Sequence, residues 1–338
     1  MISKSVCDLA DYIFNGCNLK SAGPIGGGYD IEFGWTENIP AFAFYGCDSL
    51  ESVVIPEGFK KIGNCAFLNC TSLKDVTIGE SVEQIDGRSF EGCTLLKAIV
   101  LPKNLKDIGY GCFQDCKNLE TVEFEGNTVE YIYNEAFSGC IKLKNIVLPD
   151  SITWIDTEAF YNCIALEEIN MPKNLRDIGE KAFYNCYNLS DVTFFVGIES
   201  IGAGAFDFCD EMENVYFYGD APEVNAAGSE NQSFDPDTVT VQYIAGKEGW
   251  ETDSEGKWNG YDTAVWGTSF LLGDVNLDNE INVKDVYFVR MASAKLITLS
   301  ETQKLSADVN GDGKINAIDA NLIRKFCANI IDKFPVEN

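Results

Sequence analysis

The sequence predicts an α/β-type solenoid of short parallel strands followed by a small all-α module. Three observations carry this. A unit of the form I-x-x-x-A-F-x-x-C-x-x-L-x-x-V-x-I-P recurs eight times, its first residue falling at Ile39, Ile62, Ile85, Ile108, Ile132, Ile155, Ile178 and Ile201. Every step is 23 residues except one of 24, at 108–131. A fixed period in the twenties marks units that cannot bury their apolar faces alone and must stack on their neighbours. Inside each unit the L-x-x-V-x-I stretch alternates apolar and outward sites at period two, as a strand does. The unit stops after residue 223, and beyond residue 272 a shorter sentence is said twice, GDVNLDNEINVKD at 273–285 and ADVNGDGKINAID at 307–319.

Taken in order, residues 1–38 are expected to form an N-terminal cap. Leu9–Leu19 (LADYIFNGCNL) echoes the unit weakly before the Gly-rich Gly23–Gly28 breaks its spacing, and end coils of solenoids are normally atypical because one face meets water. Residues 39–223 are the eight units. Their Phe ladder (Phe44, Phe67, Phe90, Phe113, Phe137, Phe160, Phe183, Phe206) recurs with the same neighbours every time, which marks it as core and not as a ligand box. Outward strand sites, such as Val54, Thr77, Val100 and Val147 after each Val and Ser52, Asp75 and Glu168 before it, define a display surface. Residues 224–268 read as a C-terminal cap, with a strand at Val239–Tyr243 followed by Trp250, Trp258 and Trp266. Those tryptophans either cover the last coil or form an exposed platform for sugar rings.

Composition narrows the function. With 338 residues and 46% hydrophobic content, the chain has enough apolar surface for two domains. Its net charge of −28 argues against nucleic acid or an anionic membrane as partner, although an acidic surface also simply favours solubility. There is no histidine, which removes Ser-His-Asp and Cys-His catalysis and most zinc sites. Of the 13 cysteines, Cys47, Cys70, Cys93, Cys116, Cys140, Cys163, Cys186 and Cys209 share the ninth site of the unit. Stacked in register they point the same way, which favours small buried free thiols over disulfides. Cys17 joins them in a degenerate first coil, Cys112 takes the small-residue site, and Cys7, Cys65 and Cys327 fall outside the pattern. No window is long and apolar enough for a transmembrane span. Residues 1–20 lack a basic start and a long apolar run, so this stretch is not expected to be a signal peptide. The chain is then either cytosolic or a mature form, and its C-terminal motif favours the second.

The repeat resembles the BspA-like class of leucine-rich repeats over residues 39–223, with A-F-x-x-C-x-x-L present almost throughout. Met212 replaces the Leu in the last unit, and Arg88-Ser89-Phe90 and Gly111-Cys112-Phe113 vary the Ala. The resemblance implies a surface protein that binds or adheres, with no ligand specified.

The two short sentences have the spacing of calcium loops. Each places Asp, Asn, Asp and Asp at sites 1, 3, 5 and 12, with an apolar residue at site 8, and the two first aspartates lie 34 positions apart. A hard cation wanting six to eight oxygens is met by alternate side chains of one loop. The first set is Asp274, Asn276, Asp278 and Asp285 with the main-chain carbonyl of Glu280. The second is Asp308, Asn310, Asp312 and Asp319 with that of Lys314. Two Ca²⁺ ions are therefore expected. Asn282 and Asn316, at site 9, would act through water, and Gly313 supplies the sharp turn that Asn279 must supply in the first loop. An ordinary EF-hand pair fits less well, because site 12 is Asp and no helical run precedes the first loop.

This segment resembles a type I dockerin, which implies calcium-dependent binding to a cohesin module of an extracellular cellulosome scaffold (a scaffoldin). Carried over by position, the resemblance implies cohesin contacts at Val283, Lys284, Arg290, Met291 and Lys295 in the first copy. In the second copy they are Ala317, Ile318, Arg324, Lys325 and Asn329. Val283 and Ile318 could equally be helix core. The copies differ at every pair but Arg290 and Arg324, so one face should bind preferentially, and Ala317 with Ile318 favours the second.

The leading expectation is a non-catalytic, secreted cellulosome component: a dockerin (269–338) for a scaffold cohesin, and repeats for a protein, cell-surface or plant polysaccharide ligand. A dockerin-borne polysaccharide-degrading enzyme, and an adhesin or inhibitor acting on proteins, are the alternatives.

Overall fold

The computed structural model describes residues 5–6, 11–25, 27–33, 37–229, 232–265, 272–276, 280–299, 301–331 and 333–335. The unit folds as one coil with two short strands. The first ends at the leading Ile, and these strands align as a nine-stranded parallel sheet from Asn38–Ile39 to Glu223–Val224. The second carries the V-x-I stretch, as in Ser52–Ile55 beside Asp75–Ile78 and Asn214–Phe217 beside Val192–Phe194, again parallel and in register. The 24-residue step does not disturb this register, since Ile108 pairs with Ile132 as every other leading Ile pairs with the next. The extra residue sits between Phe124 and Tyr131, where Gly126 lies so close to the Lys103 carbonyl that a side chain would collide with it.

Every leading Ile is buried, and so are the eight phenylalanines and eight register cysteines. Successive Phe rings from Phe44 to Phe206 stack nearly parallel with centroids 5.0–5.5 Å apart. Each register thiol donates to the carbonyl of the Phe one coil back, from Cys47 on Phe14 at 2.9 Å to Cys209 on Phe183 at 3.3 Å. A cysteine at this site therefore fills a small apolar space and offers a donor to a buried acceptor. None of the described cysteines is in a disulfide.

The α part of the α/β expectation is confined to the C-terminal module. Between its strands each coil turns without a helix, because two residues per unit adopt the left-handed conformation. These are the fourth and eighth sites: Phe42 and Gly46, Cys65 and Asn69, Glu135 and Gly139, Phe208 and Gly204 among them. A left-handed residue breaks the i to i−4 ladder, so two in five positions leave room only for tight turns. The array is thus a β-solenoid. This also places Cys65, which occupies a left-handed corner and not the ladder.

The coil geometry extends past both ends of the eight units. Phe14 is buried and stacks on Phe44 at 5.0 Å, and Ser21–Pro24 pairs with Ser52–Ile55. At the other end Val224 joins the nine-stranded sheet beside Ile201, and Phe234 stacks on Phe206 at 5.4 Å. Thr240–Tyr243 and then Tyr261–Val265 continue the second strand row. Trp250 and Trp258 are buried, with rings 4.7 Å apart and Trp250 against Phe217, so neither is a sugar platform. Trp266 lies outside the described residues, as does Cys7.

Among its described residues the C-terminal module has three helices: α1 (Val283–Ser293), α2 (Glu301–Ala307) and α3 (Ala317–Cys327). Its own core is Val275, Val286, Val289, Leu299, Val309, Ala320, Ile323 and Phe334 with their neighbours, and Phe195 of the repeat array packs against it.

Candidate metal centre and partner-binding face

The second loop shows why its sequence folds as it does. Asp308, at site 1, accepts from the backbone N–H groups of Asp312 (3.0 Å) and Gly313 (2.7 Å). Asn310 accepts from Asp312 N–H at 2.9 Å, and Asp312 from Lys314 N–H at 2.8 Å. Gly313 takes φ +68°, the left-handed corner the loop needs. The Lys314 carbonyl accepts from the Asn316 side chain at 3.2 Å. The result is one carboxylate oxygen from each of Asp308, Asp312 and Asp319 within 4.8 Å of one another.

Three such charges would repel in the absence of a cation. Burial, helped by Asp319 and Asp312, pushes the Asp308 carboxyl up to about 6 against two backbone donors that pull it down. Burial raises Asp319 as well. The Asp319 Oδ1 atom is buried and has no hydrogen-bond partner, while Oδ2 accepts from Asn316 N–H at 3.0 Å. An orphaned carboxylate oxygen beside two further carboxylates costs free energy unless a cation meets it. The donor set is all oxygen and hard, so the residues fit Ca²⁺.

In the first loop, Asp274 and Asp285 are fully buried. Asp285 accepts from Val275 N–H at 2.8 Å and Asn276 N–H at 3.1 Å through Oδ1, and from Asn282 N–H at 2.8 Å through Oδ2. Glu280 lies beside Asn282, with side chains 3.5 Å apart. Asp278 and Asn279 lie outside the described residues.

Site 9 has a role that spacing alone did not reveal. Asn282 and Asn316 are the N-caps of α1 and α3, their side chains accepting from Lys284 N–H and Ile318 N–H at 2.9 and 2.8 Å. The site-12 aspartates, Asp285 and Asp319, return the bond to the cap backbone, completing a capping box. Each site-12 residue thus joins the loop to the start of the following helix.

The positions carried over for partner binding lie on the outside of these helices. Val283 is 72% and Ile318 56% exposed, so neither is helix core. Lys284, Arg290, Lys295, Ala317, Arg324 and Asn329 are exposed, and Met291 and Lys325 half-buried. Lys295 and Asn329 both adopt φ above +50° just past the ends of α1 and α3. Three exposed apolar side chains beside them escaped sequence reasoning: Tyr287 at 59%, Leu296 at 67% and Ile330 at 69%. Leu296 and Ile330 stand 34 positions apart, so the register that aligned the loops already contained them.

Against known proteins, the BspA type leucine rich repeat region model matches residues 37–130 and 126–228, in six copies, and the dockerin type I domain model matches residues 272–326. No curated protein matches the chain. Among solved structures, a leucine-rich repeat protein from Bacteroides ovatus ATCC 8483 is 24% identical, covering 68% of this chain and 64% of its own, with TM-score 0.49. The chain thus spans less than two thirds of that relative. The T. pallidum leucine rich repeat protein is 30% identical over 51% of this chain and 78% of its own, with TM-score 0.45. The pneumococcal vaccine antigen PcpA is 20% identical over 70% and 74%, with TM-score 0.41. No helix among the described residues is long and apolar enough to cross a membrane. With the repeat model matching more than half of its length, the chain belongs to the BspA-type leucine-rich repeat family and carries a C-terminal type I dockerin domain.

Proposed function

We propose that this chain is a secreted, non-catalytic component that docks to a cohesin module of an extracellular scaffold when its two loops hold calcium, and displays a ligand-binding repeat array. The observation that carries the reading is the junction at site 12. Asp285 and Asp319 each belong at once to a loop of calcium spacing and to the cap of a helix whose outer side bears the positions carried over for cohesin contact. Calcium in the loop would fix the start of that helix, because ordering a small module around a metal is folding free energy. Each ion's role is to neutralise the gathered carboxylates; Asp274, Asn276, Asp285, Asp308, Asn310, Asp312 and Asp319, with Asp278 and the Glu280 and Lys314 carbonyls, would hold the two ions.

The buried charged side chains among the described residues are Asp274, Asp285, Asp308 and Asp319, all in the loops. In the array, Glu91 and Asp207 are half-buried and burial raises both carboxyls; what favours a binding role over an enzyme carried by the dockerin is that the family models matching the chain are a leucine-rich repeat and a dockerin. The test is capture of the full chain on an immobilised panel of type I cohesins, with calcium and with chelator. Retention that needs calcium is expected; failure to bind any cohesin in calcium overturns the reading.

A further inference from the structure

The nine-stranded sheet carries one stretch that the repeat does not explain. In most units the residue after the leading Ile is Gly or Asp and the one before it is polar. In units five and six these sites hold Tyr131, Tyr133, Trp154 and Asp156. Ile132 and Ile155 between them are fully buried, so the flanking side chains point outward. Tyr131 and Trp154 face each other across a parallel strand pair and are 40% and 44% exposed, with Tyr133 at 37%. The Tyr131 and Tyr133 rings lie 5.9 Å apart at 37°. Together with Asp156 these residues line a shallow, open depression of about 220 Å³. The neighbouring coils carry Gly109 and Gly179 at the site of Tyr133 and Asp156, which leaves that edge of the depression without a flanking side chain.

Core positions recur in a solenoid because stacking requires them. These aromatics do not recur and are not covered, so stacking does not account for them. The coil's single length change also lies here: the extra residue falls in the loop that leads into Tyr131.

Charge selects among ligands. Asp107 stands at the site of Tyr131 one coil back, and Asp177 opposite Trp154 one coil on. Burial, and then the charges of Asp107 and more weakly Tyr131 and Asp156, raise the Tyr133 hydroxyl above its ordinary value, which places carboxylates around it. The nearby cations are committed elsewhere, Lys106 to Glu83 at 2.7 Å and Arg176 to Glu199 at 2.6 Å. An anionic ligand is therefore repelled. A lysine or arginine side chain over an exposed ring face of this open site gains little, because its charge stays hydrated there. A sugar ring suits it: its flat C–H face lies on an aromatic ring, and its edge hydroxyls donate to carboxylates at the rim.

We propose that Tyr131, Tyr133 and Trp154 form a binding platform for a neutral polysaccharide chain, with Asp156 and its neighbouring carboxylates accepting hydroxyls. This deepens the display role proposed for the array and rests on that reading, but it does not involve the calcium module.

The test is titration calorimetry of the full chain, in calcium, with cellohexaose, xylohexaose and mannohexaose, and with an oligolysine peptide as competitor. At least one hexaose should bind. Trp154→Ala and Tyr131→Ala should each weaken it about tenfold or more, Trp154→Phe should retain most of it, and Tyr187→Ala, an exposed aromatic elsewhere, should change nothing. Unchanged melting of each variant separates lost stacking from lost fold. Absence of binding by all three hexaoses at millimolar concentration overturns the proposal, as does binding indifferent to Trp154→Ala combined with Tyr133→Ala. Binding of the peptide alone assigns the patch to a cationic partner and equally overturns it. Cohesin capture, run beside it, is unaffected by any of these outcomes.

Discussion

The thiol of Cys116 donates a hydrogen bond to the carbonyl oxygen of Phe90, 26 residues back and one coil below, at 3.1 Å. Both residues are fully buried. The same bond repeats from Cys47 to Cys209, so the two ladders of the core are tied to each other as well as stacked.

Burial raises the Cys116 thiol well above its ordinary value of 9.0, and the other ladder thiols from Cys47 to Cys209 are raised by the same cause. The folded chain thus holds these protons above pH 9 while the unfolded chain releases them. Their contribution to stability is complete below pH 9 and is lost as pH rises beyond it. Each thiol that ionises only on unfolding adds about 1.4 kcal/mol per pH unit to that slope. Melting of the array should fall steeply between pH 9 and 11, and Cys116→Ala should flatten the slope by one thiol while costing about 1–2 kcal/mol at pH 7. In native protein at pH 8 a thiol reagent should spare the ladder and react first at the half-buried Cys17 and Cys327. Denaturant should expose all eight ladder thiols as free; a fully oxidised ladder would defeat the account.

The phenylalanine ladder predicts where damage spreads. Phe137 sits between Phe113 and Phe160, at 5.5 and 5.3 Å. Phe137→Ala should cost about 3–5 kcal/mol and leave both neighbours facing a cavity. Because each coil touches chiefly its neighbours, hydrogen exchange should rise most in the coils of Phe113, Phe137 and Phe160. Uniform exchange along the whole array would show longer-range cooperativity instead.

These two ladders were legible because a site that must be buried recurs at a fixed interval. The corners were not. Left-handed backbone at Phe42, Cys65, Arg88 and Lys181 is held by residues with no turn chemistry of their own, so the sequence pattern suggested α/β where the chain makes turns. Stacking imposes the corner on whatever residue falls there. The ninth coil was half legible: Val224 lies 23 residues after Ile201, but its Phe comes ten residues later and not five. In the dockerin the calcium spacing marked Asp308, Asp312 and Asp319, which the fold brings together, yet the capping role of Asn282 and Asn316 depends on where a helix starts, which the loop pattern does not state. The display surface expected on the V-x-I strands does point outward, with Val147 74% exposed. The aromatic cluster, however, stands on the other sheet, where a departure from the repeat, and not the repeat itself, was the signal.

Calcium stoichiometry separates the two loops. In Asp312→Asn the backbone donor contacts can persist while one of three gathered negative charges is lost. Calorimetry on the full chain should find two calcium ions for the parent, and in the variant one site weakened about tenfold or more. If the variant still binds two ions with parental affinity, Asp312 is not a ligand.

The exposed residues beyond the carried-over positions favour the first copy as the tighter cohesin face, where Ala317 with Ile318 favours the second. On α1, Val283 and Tyr287 stand four residues apart on one exposed side, followed by Leu296. The equivalent positions in the second copy are Ala317 and Asn321 on α3 and Ile330 beyond it, with exposed Ile318 standing where the first copy has Lys284. An aromatic ring in place of an amide adds apolar area without burying a further donor, and aromatic anchors at the centre of a face contribute most of the binding free energy. The side chain of Asn321 is besides engaged with Arg324 at 2.8 Å. The first face should therefore bind cohesin more tightly, and a difference of about 1.4 kcal/mol suffices for a tenfold preference. The measurement is a titration of the cognate cohesin with two double variants, Val283→Asp with Tyr287→Asp and Ile318→Asp with Ile330→Asp, each checked for two bound calcium ions. The first pair should weaken binding at least tenfold more than the second. Equal small losses, with binding abolished only when all four are combined, would mean two interchangeable faces; a larger loss from the second pair would restore the preference for Ile318.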